Sequence, residues 1–256
     1  MSALQPGGLA VLNADDPLVV AMAATAADAH ARTVTFGTAA AADVRATDVT
    51  VDRGRSRFTL TVDGRRAPVA MSLLGAHQVS NALAAAAVGL HAGMSIDVVA
   101  AALASAQPAS HWRLELTERA DGVTVLNDAY NANPDSVAAA MRTLVSLASG
   151  RRTWAVLGEM LELGESSDDE HASVGRLAAA LGVDRLLVVG ETAAPARSAA
   201  VLDQSWKGAA LYARDADDAL AQLQAGVRPG DVVLVKASRS VGLERVALAL
   251  AGQAAP

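Results

Sequence analysis

Residues 123–136 read VTVLNDAYNANPDS, a short β-branched run that leads directly into a helix start. Pro134 suits the first turn of a helix, and Asp135 complements the positive charge of the helix N-terminus. The segment therefore predicts a buried strand followed by a helix. An acid, an aromatic residue and two amides lie between the two elements: Asp128, Tyr130, Asn131 and Asn133.

The same strand-to-helix pattern recurs downstream. Further strands are expected at TWAVLG (153–158), RLLVVG (185–190), AALYA (209–213) and DVVLVK (231–236), with helices between them and a last helix from about Arg239. Strands that are nearly all apolar and are separated by helices predict an α/β fold with a parallel sheet covered on both faces. The loops at the carboxyl ends of such strands line a ligand crevice.

The first part of the chain combines this alternation with a second pattern. LAVLN (9–13), a helix from Asp16 and TVTFG (33–37) continue the strand–helix order. Alternating apolar and polar residues then predict strands, with DGRR (63–66) as a hairpin turn. These strands are VRATDVTV (44–51), RFTLTV (57–62) and PVAMSL (68–73), and two helices follow over 76–93 and 95–106. A boundary is expected near Pro108, giving domains of residues 1–111 and 112–256.

Composition excludes several classes of protein. The 256 residues carry a net charge of −6, which argues against binding to nucleic acid. There is no cysteine, so disulfides and thiolate metal sites are excluded. No segment has the pattern of a signal peptide or a membrane span, so a soluble cytoplasmic protein without membrane insertion is expected.

Two phosphate-binding fingerprints are absent. Lys207 and Lys236 are the two lysines among 21 basic residues, and neither stands in a G-x-x-x-x-G-K-[ST] motif. The G-x-G-x-x-G dinucleotide fingerprint is missing as well. The sequence printed here therefore contains no P-loop.

Two candidate sites lie in the middle of the chain, and each has a structural alternative. His77 and Asn81 are four residues apart and share one face of a helix start, where they can meet a nucleotide. Their spacing alone favours a capped helix on an alanine-rich core. Arg113 is suited to fork onto phosphate, but it can equally pair with Glu115 or Glu118.

The ends of two later strands carry the remaining candidates. Glu159 follows one of these strands, whereas His171 fits a core or capping role better than a catalytic one. Lys236, Ser238 and Arg239 come together at a strand end and can form an anion site with helix N–H groups. Alternatively, Lys236 extends its ammonium out of the sheet edge into solvent.

Taken in order, these motifs resemble the Mur ligase family, and within it the type that adds D-alanyl-D-alanine. The series is LNADDP, LGAHQVSNALAA, HWRLE, NDAYNANPDS, LGEMLELGE and LVKASRSVGLERV. The resemblance covers nearly all of this chain but only part of a family member. It implies that residues 1–111 are the second half of a central ATPase-type α/β domain and that residues 112–256 are a Rossmann-like C-terminal domain.

The resemblance also implies a reaction. ATP would phosphorylate the terminal carboxylate of UDP-N-acetylmuramoyl-tripeptide, and the amine of D-alanyl-D-alanine would attack the acyl phosphate. ATP comes with Mg²⁺, whose principal ligands are expected upstream of this sequence together with the P-loop. The fragment is therefore expected to be inactive alone, and the full-length enzyme to be a monomer.

Roles for individual residues follow from the same resemblance. The nucleotide-binding residues would be His77, Asn81, Arg113, Asp128, Tyr130, Asn131 and Asn133. The substrate-binding residues would be Glu159, Lys236, Ser238 and Arg239, with Lys236 and Arg239 also catalytic. No metal ligand is expected among the residues of this chain.

Three residues depart from the family pattern, and other functions stay open. Gln78 stands in place of an asparagine, Ala237 in place of a glycine, and HWR replaces PGR. The alternatives are a non-catalytic truncated module that binds nucleotide or substrate, the tripeptide-forming Mur ligase, or a relative of folylpolyglutamate or cyanophycin synthetase.

Overall fold

The computed structural model describes residues 4–253. The chain divides into two compact units, Met1–Gln107 and Pro108–Pro256. Each unit has its own sheet and its own hydrophobic core.

The sheet of the first unit has five strands in sequence order. They are β1 (Leu9–Asn13), β2 (Arg32–Gly37), β3 (Val44–Asp52), β4 (Arg55–Val62) and β5 (Arg65–Leu74). β1, β2 and β3 are parallel, while β3, β4 and β5 run antiparallel. The predicted hairpin turn is confirmed, because Asp63 and Gly64 both have the positive φ angles that a tight β-turn of this hand requires.

Four helices complete the described part of the first unit, residues 4–107. They are α1 (Pro17–Ala21), α2 (Ala23–Asp28), α3 (Gln78–His91) and α4 (Ile96–Ser105). The Asp16 carboxylate caps α1 by accepting a hydrogen bond from the N–H of Leu18 at 2.8 Å. Helices α3 and α4 contribute buried residues such as Leu83 and Val99 to the same core as Leu60 of β4.

The sheet of the second unit has six strands in the order β10-β9-β8-β11-β7-β6. They are β6 (Glu115–Glu118), β7 (Thr124–Asn127), β8 (Thr153–Leu157), β9 (Arg185–Val189), β10 (Ala209–Ala213) and β11 (Val232–Lys236). All neighbours are parallel except β6 and β7, so the predicted parallel sheet is confirmed. The edge strand β6 is not predicted by the sequence, because its four partly exposed residues ELTE carry no apolar run.

Between residues 108 and 253, five α-helices cover this sheet: α5 (Pro134–Ala148), α6 (Ser167–Ala180), α7 (Ala194–Val201), α8 (Ala216–Gly226) and α9 (Glu244–Leu250). The predicted start of α5 is confirmed, with Asn133 and Ser136 forming a reciprocal capping box. The expectation of an α-helix from about Arg239 is wrong. A 3₁₀ turn over Arg239–Val241 comes first, and Gly242, with φ of +72°, separates it from α9.

Helices α6 and α7 approach each other closely at Gly175. A β-carbon at this position would lie 2.0 Å from the backbone oxygen of Ala196. We expect Gly175→Ala to lower the free energy of unfolding by about 2 kcal/mol, because the backbone of α7 must move away. Denaturant titration measures this.

The matched control is Gly89→Ala in α3. There the new methyl group would meet the flexible side chain of Met94 at 3.1 Å, and alanine favours the helix. If Gly89→Ala lowers the free energy of unfolding as much as Gly175→Ala does, the close contact between α6 and α7 is not the cause.

Candidate functional site

The carboxyl ends of β7 and β11 meet in a buried ion pair. The Nζ atom of Lys236 lies 2.6 Å from Oδ2 of Asp128 and also donates to the backbone oxygen of Asn131 at 2.8 Å. Lys236 is 3% exposed, and its strand is flanked by β8 and β7. The interpretation of a lysine that extends from the sheet edge into solvent is therefore wrong.

The charge of this lysine depends on its neighbours. Burial holds the pKa of the Lys236 ammonium below its usual value, while the charge and hydrogen bond of Asp128 oppose that shift and Arg113 adds to it. The other carboxylate oxygen of Asp128 accepts a hydrogen bond from the N–H of Leu114 at 3.0 Å. Asp128 thus joins β11 to the segment that precedes β6.

Two arginines stack on aromatic rings next to this pair. The guanidinium carbon of Arg113 lies 4.3 Å from the centroid of the Tyr130 ring, and that of Arg239 lies 5.2 Å from the same centroid. Arg239 also stacks on Trp112 at 4.8 Å. Trp112 has φ of +59°, a backbone conformation that glycine adopts more readily.

Neither stacked arginine forms an ion pair with a carboxylate among residues 4–253. The alternative that Arg113 pairs with Glu115 or Glu118 is therefore wrong, and Glu115 instead accepts a hydrogen bond from the N–H of Trp112 at 3.0 Å. Two guanidinium groups with unpaired donors suit an anionic ligand such as phosphate or carboxylate.

The loop after β8 is held against the loop after β11. The N–H of Ser238 donates to the backbone oxygen of Glu159 at 2.9 Å, and the Ser238 hydroxyl accepts from the N–H of Leu161 at 3.0 Å. His171 is buried, with Nε2 accepting from the N–H of Met160 at 3.0 Å. The predicted structural role of His171 is confirmed, since its ring anchors the loop after β8.

A cavity of about 480 Å³ opens between these two loops. Four of the predicted site residues line it: Asn131, Asn133, Ser238 and Arg239. Leu161, Glu162 and Leu163 line it as well. The sequence signal for these three was the LEL run between Gly158 and Gly164, which the strand-end pattern does not single out.

The remaining two predicted nucleotide contacts belong to the first unit. His77 precedes the first residue of α3, and the Asn81 amide donates to Oε1 of Gln78 at 3.0 Å. Gly75, with φ of +105°, leaves room for the His77 ring, which a β-carbon at Gly75 would meet at 2.4 Å. Gln78 therefore orients the side chain of Asn81, and glycine is required at the turn that precedes them.

The substitution of Ala237 for the family's glycine introduces no backbone strain. Ala237 is buried, and its φ lies outside the positive region. Residues 4–253 contain neither a group of three or more His, Asp or Glu side chains placed to bind a metal ion nor a helix long and apolar enough to cross a membrane.

Models of two protein-family domains match this chain. Residues 1–89 match the Mur ligase middle domain, and residues 112–239 match the glutamate ligase domain of Mur ligases. The UDP-N-acetylmuramoyl-tripeptide–D-alanyl-D-alanine ligase of Mycobacterium tuberculosis is 48% identical over 97% of this chain and 52% of its own length. The enzyme of the same name from Bacillus subtilis is 30% identical over 96% of this chain and 52% of its own length.

Solved structures agree with these sequence matches. MurF from Acinetobacter baumannii superimposes with a TM-score of 0.83 at 28% identity, over 97% of this chain and 52% of that one. The MurF ligase of Thermotoga maritima in complex with ADP gives a TM-score of 0.74 at 25% identity, over 96% and 53% of the two chains. The chain thus spans about half the length of the relatives it matches. On its sequence, its two domain matches and its fold, the chain belongs to the Mur ligase family.

Proposed function

We propose that this chain serves in an ATP-dependent ligase that joins D-alanyl-D-alanine to UDP-N-acetylmuramoyl-tripeptide. The observation that carries the proposal is the pair of stacked arginines at the carboxyl edge of the sheet, Arg113 and Arg239, which have no carboxylate partner among residues 4–253. The names of the most similar relatives support the choice of substrates.

In this reaction, ATP transfers its terminal phosphoryl group to the tripeptide carboxylate and leaves as ADP. The amine of the dipeptide attacks the resulting acyl phosphate, and the tetrahedral intermediate expels phosphate and leaves an amide bond. Negative charge accumulates on the phosphoryl group and on the oxygen of the intermediate, and fixed cations stabilise both. Arg113 offers such a cation, whereas Arg239 offers a cation for the free carboxylate of the dipeptide.

The roles proposed for most of the other residues follow from the resemblance to the family. Tyr130, Asn131, Asn133, Asp128 and, in the first unit, His77 and Asn81 are assigned to the nucleotide. Glu159, Ser238 and Arg239 are assigned to the acceptor substrates. Lys236 is assigned to hold Asp128, since its ammonium is buried against that carboxylate.

ATP is proposed to act with Mg²⁺, for which residues 4–253 hold no group of three or more His, Asp or Glu side chains placed to bind a metal ion. We further infer that residues 1–111 correspond to the central domain and 112–256 to the C-terminal domain of the family. The enzyme is proposed to act as a monomer in the cytoplasm.

Depletion of the protein in the cells that make it tests this function. We expect UDP-N-acetylmuramoyl-tripeptide to accumulate and the corresponding pentapeptide to disappear, because the step between them is lost. Mass spectrometry of extracted nucleotide precursors measures both pools, and re-expression of the wild-type gene from a second locus should restore them.

Other outcomes of the same experiment would identify other functions. Accumulation of the dipeptide precursor would indicate the tripeptide-forming ligase instead. Loss of folate polyglutamates with unchanged cell-wall precursors would place the protein with the folylpolyglutamate synthetases. Unchanged pools throughout would favour a non-catalytic module.

A further inference from the structure

Two opposite charges line the cavity between the loops after β8 and β11. Glu162 and Arg239 both contribute to its wall, and no ion pair joins them. The carboxylate oxygens of Glu162 and the guanidinium nitrogens of Arg239 therefore lie more than 4.0 Å apart. The space between them can accept a ligand that carries both charges.

The backbone fixes Glu162 in an unusual conformation. Its φ is +64°, in the left-handed region where glycine or asparagine is the usual residue. Its neighbours are anchored, because the N–H of Leu161 donates to the Ser238 hydroxyl at 3.0 Å and the backbone oxygen of Leu163 accepts from Ser166 at 2.8 Å. Such a conformation at a charged residue stores strain and is found preferentially at functional sites.

Within residues 4–253, no other side chain or backbone group bonds to the Glu162 side chain and accounts for its position. It is exposed, and no hydrogen bond or ion pair of its side chain is formed with another residue of 4–253. A carboxylate at the wall of a cavity, held by anchored neighbours and free of internal partners, is suited to receive a cationic group.

We propose that Glu162 binds the ammonium group of the incoming dipeptide while Arg239 binds its carboxylate. This assignment rests on the proposed function. An extended dipeptide spans about 7 Å, so its two charged ends need partners that lie farther apart than the 4.0 Å of an ion pair, as Glu162 and Arg239 do. The cavity of about 480 Å³ is large enough to hold it. Leu161 and Leu163 provide apolar surface for the two methyl groups.

The test compares two ligands on the purified chain. Free D-alanyl-D-alanine carries both charges, whereas N-acetyl-D-alanyl-D-alanine lacks the ammonium group. We expect wild type to bind the free dipeptide about tenfold more tightly, the effect of one charge-assisted contact. Titration by NMR, which detects weak binding, measures both affinities.

Three variants locate the contacts. Glu162→Gln should lose about tenfold in affinity for the free dipeptide and keep its affinity for the acetylated one. Arg239→Gln should lower the affinity for both ligands, because both carry the carboxylate. The matched control is Glu165→Gln, the same change at an exposed residue three positions along that does not line the cavity, and it should leave both affinities unchanged.

Several results would overturn the assignment: equal affinity of Glu162→Gln and wild type, equal affinity of wild type for the two ligands, or no detectable binding of either. These results are separable from failure of the proposed function. If the binding test fails but the tripeptide precursor still accumulates after depletion, only the role of Glu162 is wrong. If the dipeptide binds through Glu162 while precursor pools stay unchanged after depletion, the proposed function fails instead.

Discussion

Replacement of Asp231 by alanine is expected to lower the free energy of unfolding by about 4 kcal/mol, because it leaves a partly buried arginine without its counter-charge. Asp231 is buried and accepts from Nε of Arg152 at 2.9 Å and from Nη2 of the same residue at 2.5 Å. It also accepts from the indole N–H of Trp154 at 3.1 Å and the backbone N–H of Arg228 at 2.9 Å. In the variant all of these donors lose Asp231 as an acceptor, while Nη2 of Arg152 keeps its hydrogen bond to the backbone oxygen of Gly226 at 2.8 Å.

The effect should depend on pH in a defined direction. Burial alone would raise the pKa of Asp231, but the hydrogen bonds and charge of Arg152, with those of Arg228 and Trp154, outweigh it and hold the pKa below the usual value. A carboxyl group with a lowered folded-state pKa stabilises the protein above its unfolded value of about 3.9, and that contribution disappears as pH falls through the folded value. The difference in free energy of unfolding between wild type and Asp231→Ala should therefore become smaller below about pH 4.

Denaturant titrations between pH 7 and pH 3 measure this gap. The control is Asp217→Ala, because Asp217 forms an exposed ion pair with Arg245 at 3.2 Å and such pairs contribute little. If the difference in free energy of unfolding between wild type and Asp231→Ala stays constant down to pH 3, the ionised Asp231 carboxylate does not stabilise the fold as expected.

Replacement of Asp128 by alanine is expected to lower the free energy of unfolding by about 3 kcal/mol. The change removes the carboxylate from a lysine that is 3% exposed and leaves the Asn131 carbonyl as the remaining acceptor of its ammonium. The double replacement Asp128→Ala with Lys236→Met should recover most of the loss, since it removes the buried charge as well. Denaturant titration of the two single variants and the double variant measures the coupling.

Alkaline pH provides a second readout for the same pair. The pKa of Lys236 is already lowered by burial, and loss of Asp128 removes the charge that opposes this shift. Between the folded pKa and the unfolded value of about 10.4, the unfolded chain binds more protons, so stability rises with pH in that window. The free energy of unfolding of the Asp128→Ala variant should therefore approach that of wild type as pH rises from 7 to 10.

The double variant decides whether the two side chains are coupled. If the losses of the two single variants simply add in the double variant, with no recovery, Asp128 and Lys236 are not coupled.

Most elements of the second unit could be predicted because each carries a local signal. Its buried strands β7, β8, β9 and β11 are short apolar runs that end at glycine or polar residues. The edge strand β6 lacks this signal, because it is only partly buried and its pairing with β7 depends on a partner that follows it in sequence. The true start of α9 depends on the 3₁₀ turn before it, which is set by contacts between loops.

The sequence was sufficient to name residues of the candidate site but not to predict the contacts between them. Residues at the carboxyl ends of parallel strands must share one edge of the sheet, which is why Asp128 and Lys236 could each be named as a site candidate. Their ion pair requires β11 to lie next to β7, and strand order is not encoded in any short segment. Glu162 escaped prediction for a related reason, since its left-handed backbone is held by a contact between the Leu161 N–H and Ser238 from the end of another strand.

The central position of β11 has a consequence for synthesis on the ribosome. β11 is the last strand of its sheet in chain order, yet it is the strand that joins β7 to β8. About eighty residues separate the end of β8 from the end of β11, and ribosomes add about 5–20 residues per second. For roughly 4–16 seconds the nascent chain therefore presents β7 and β8 with open hydrogen-bonding edges. Chaperone binding to this unit should be concentrated in that interval and should end when residues 232–236 insert between β7 and β8.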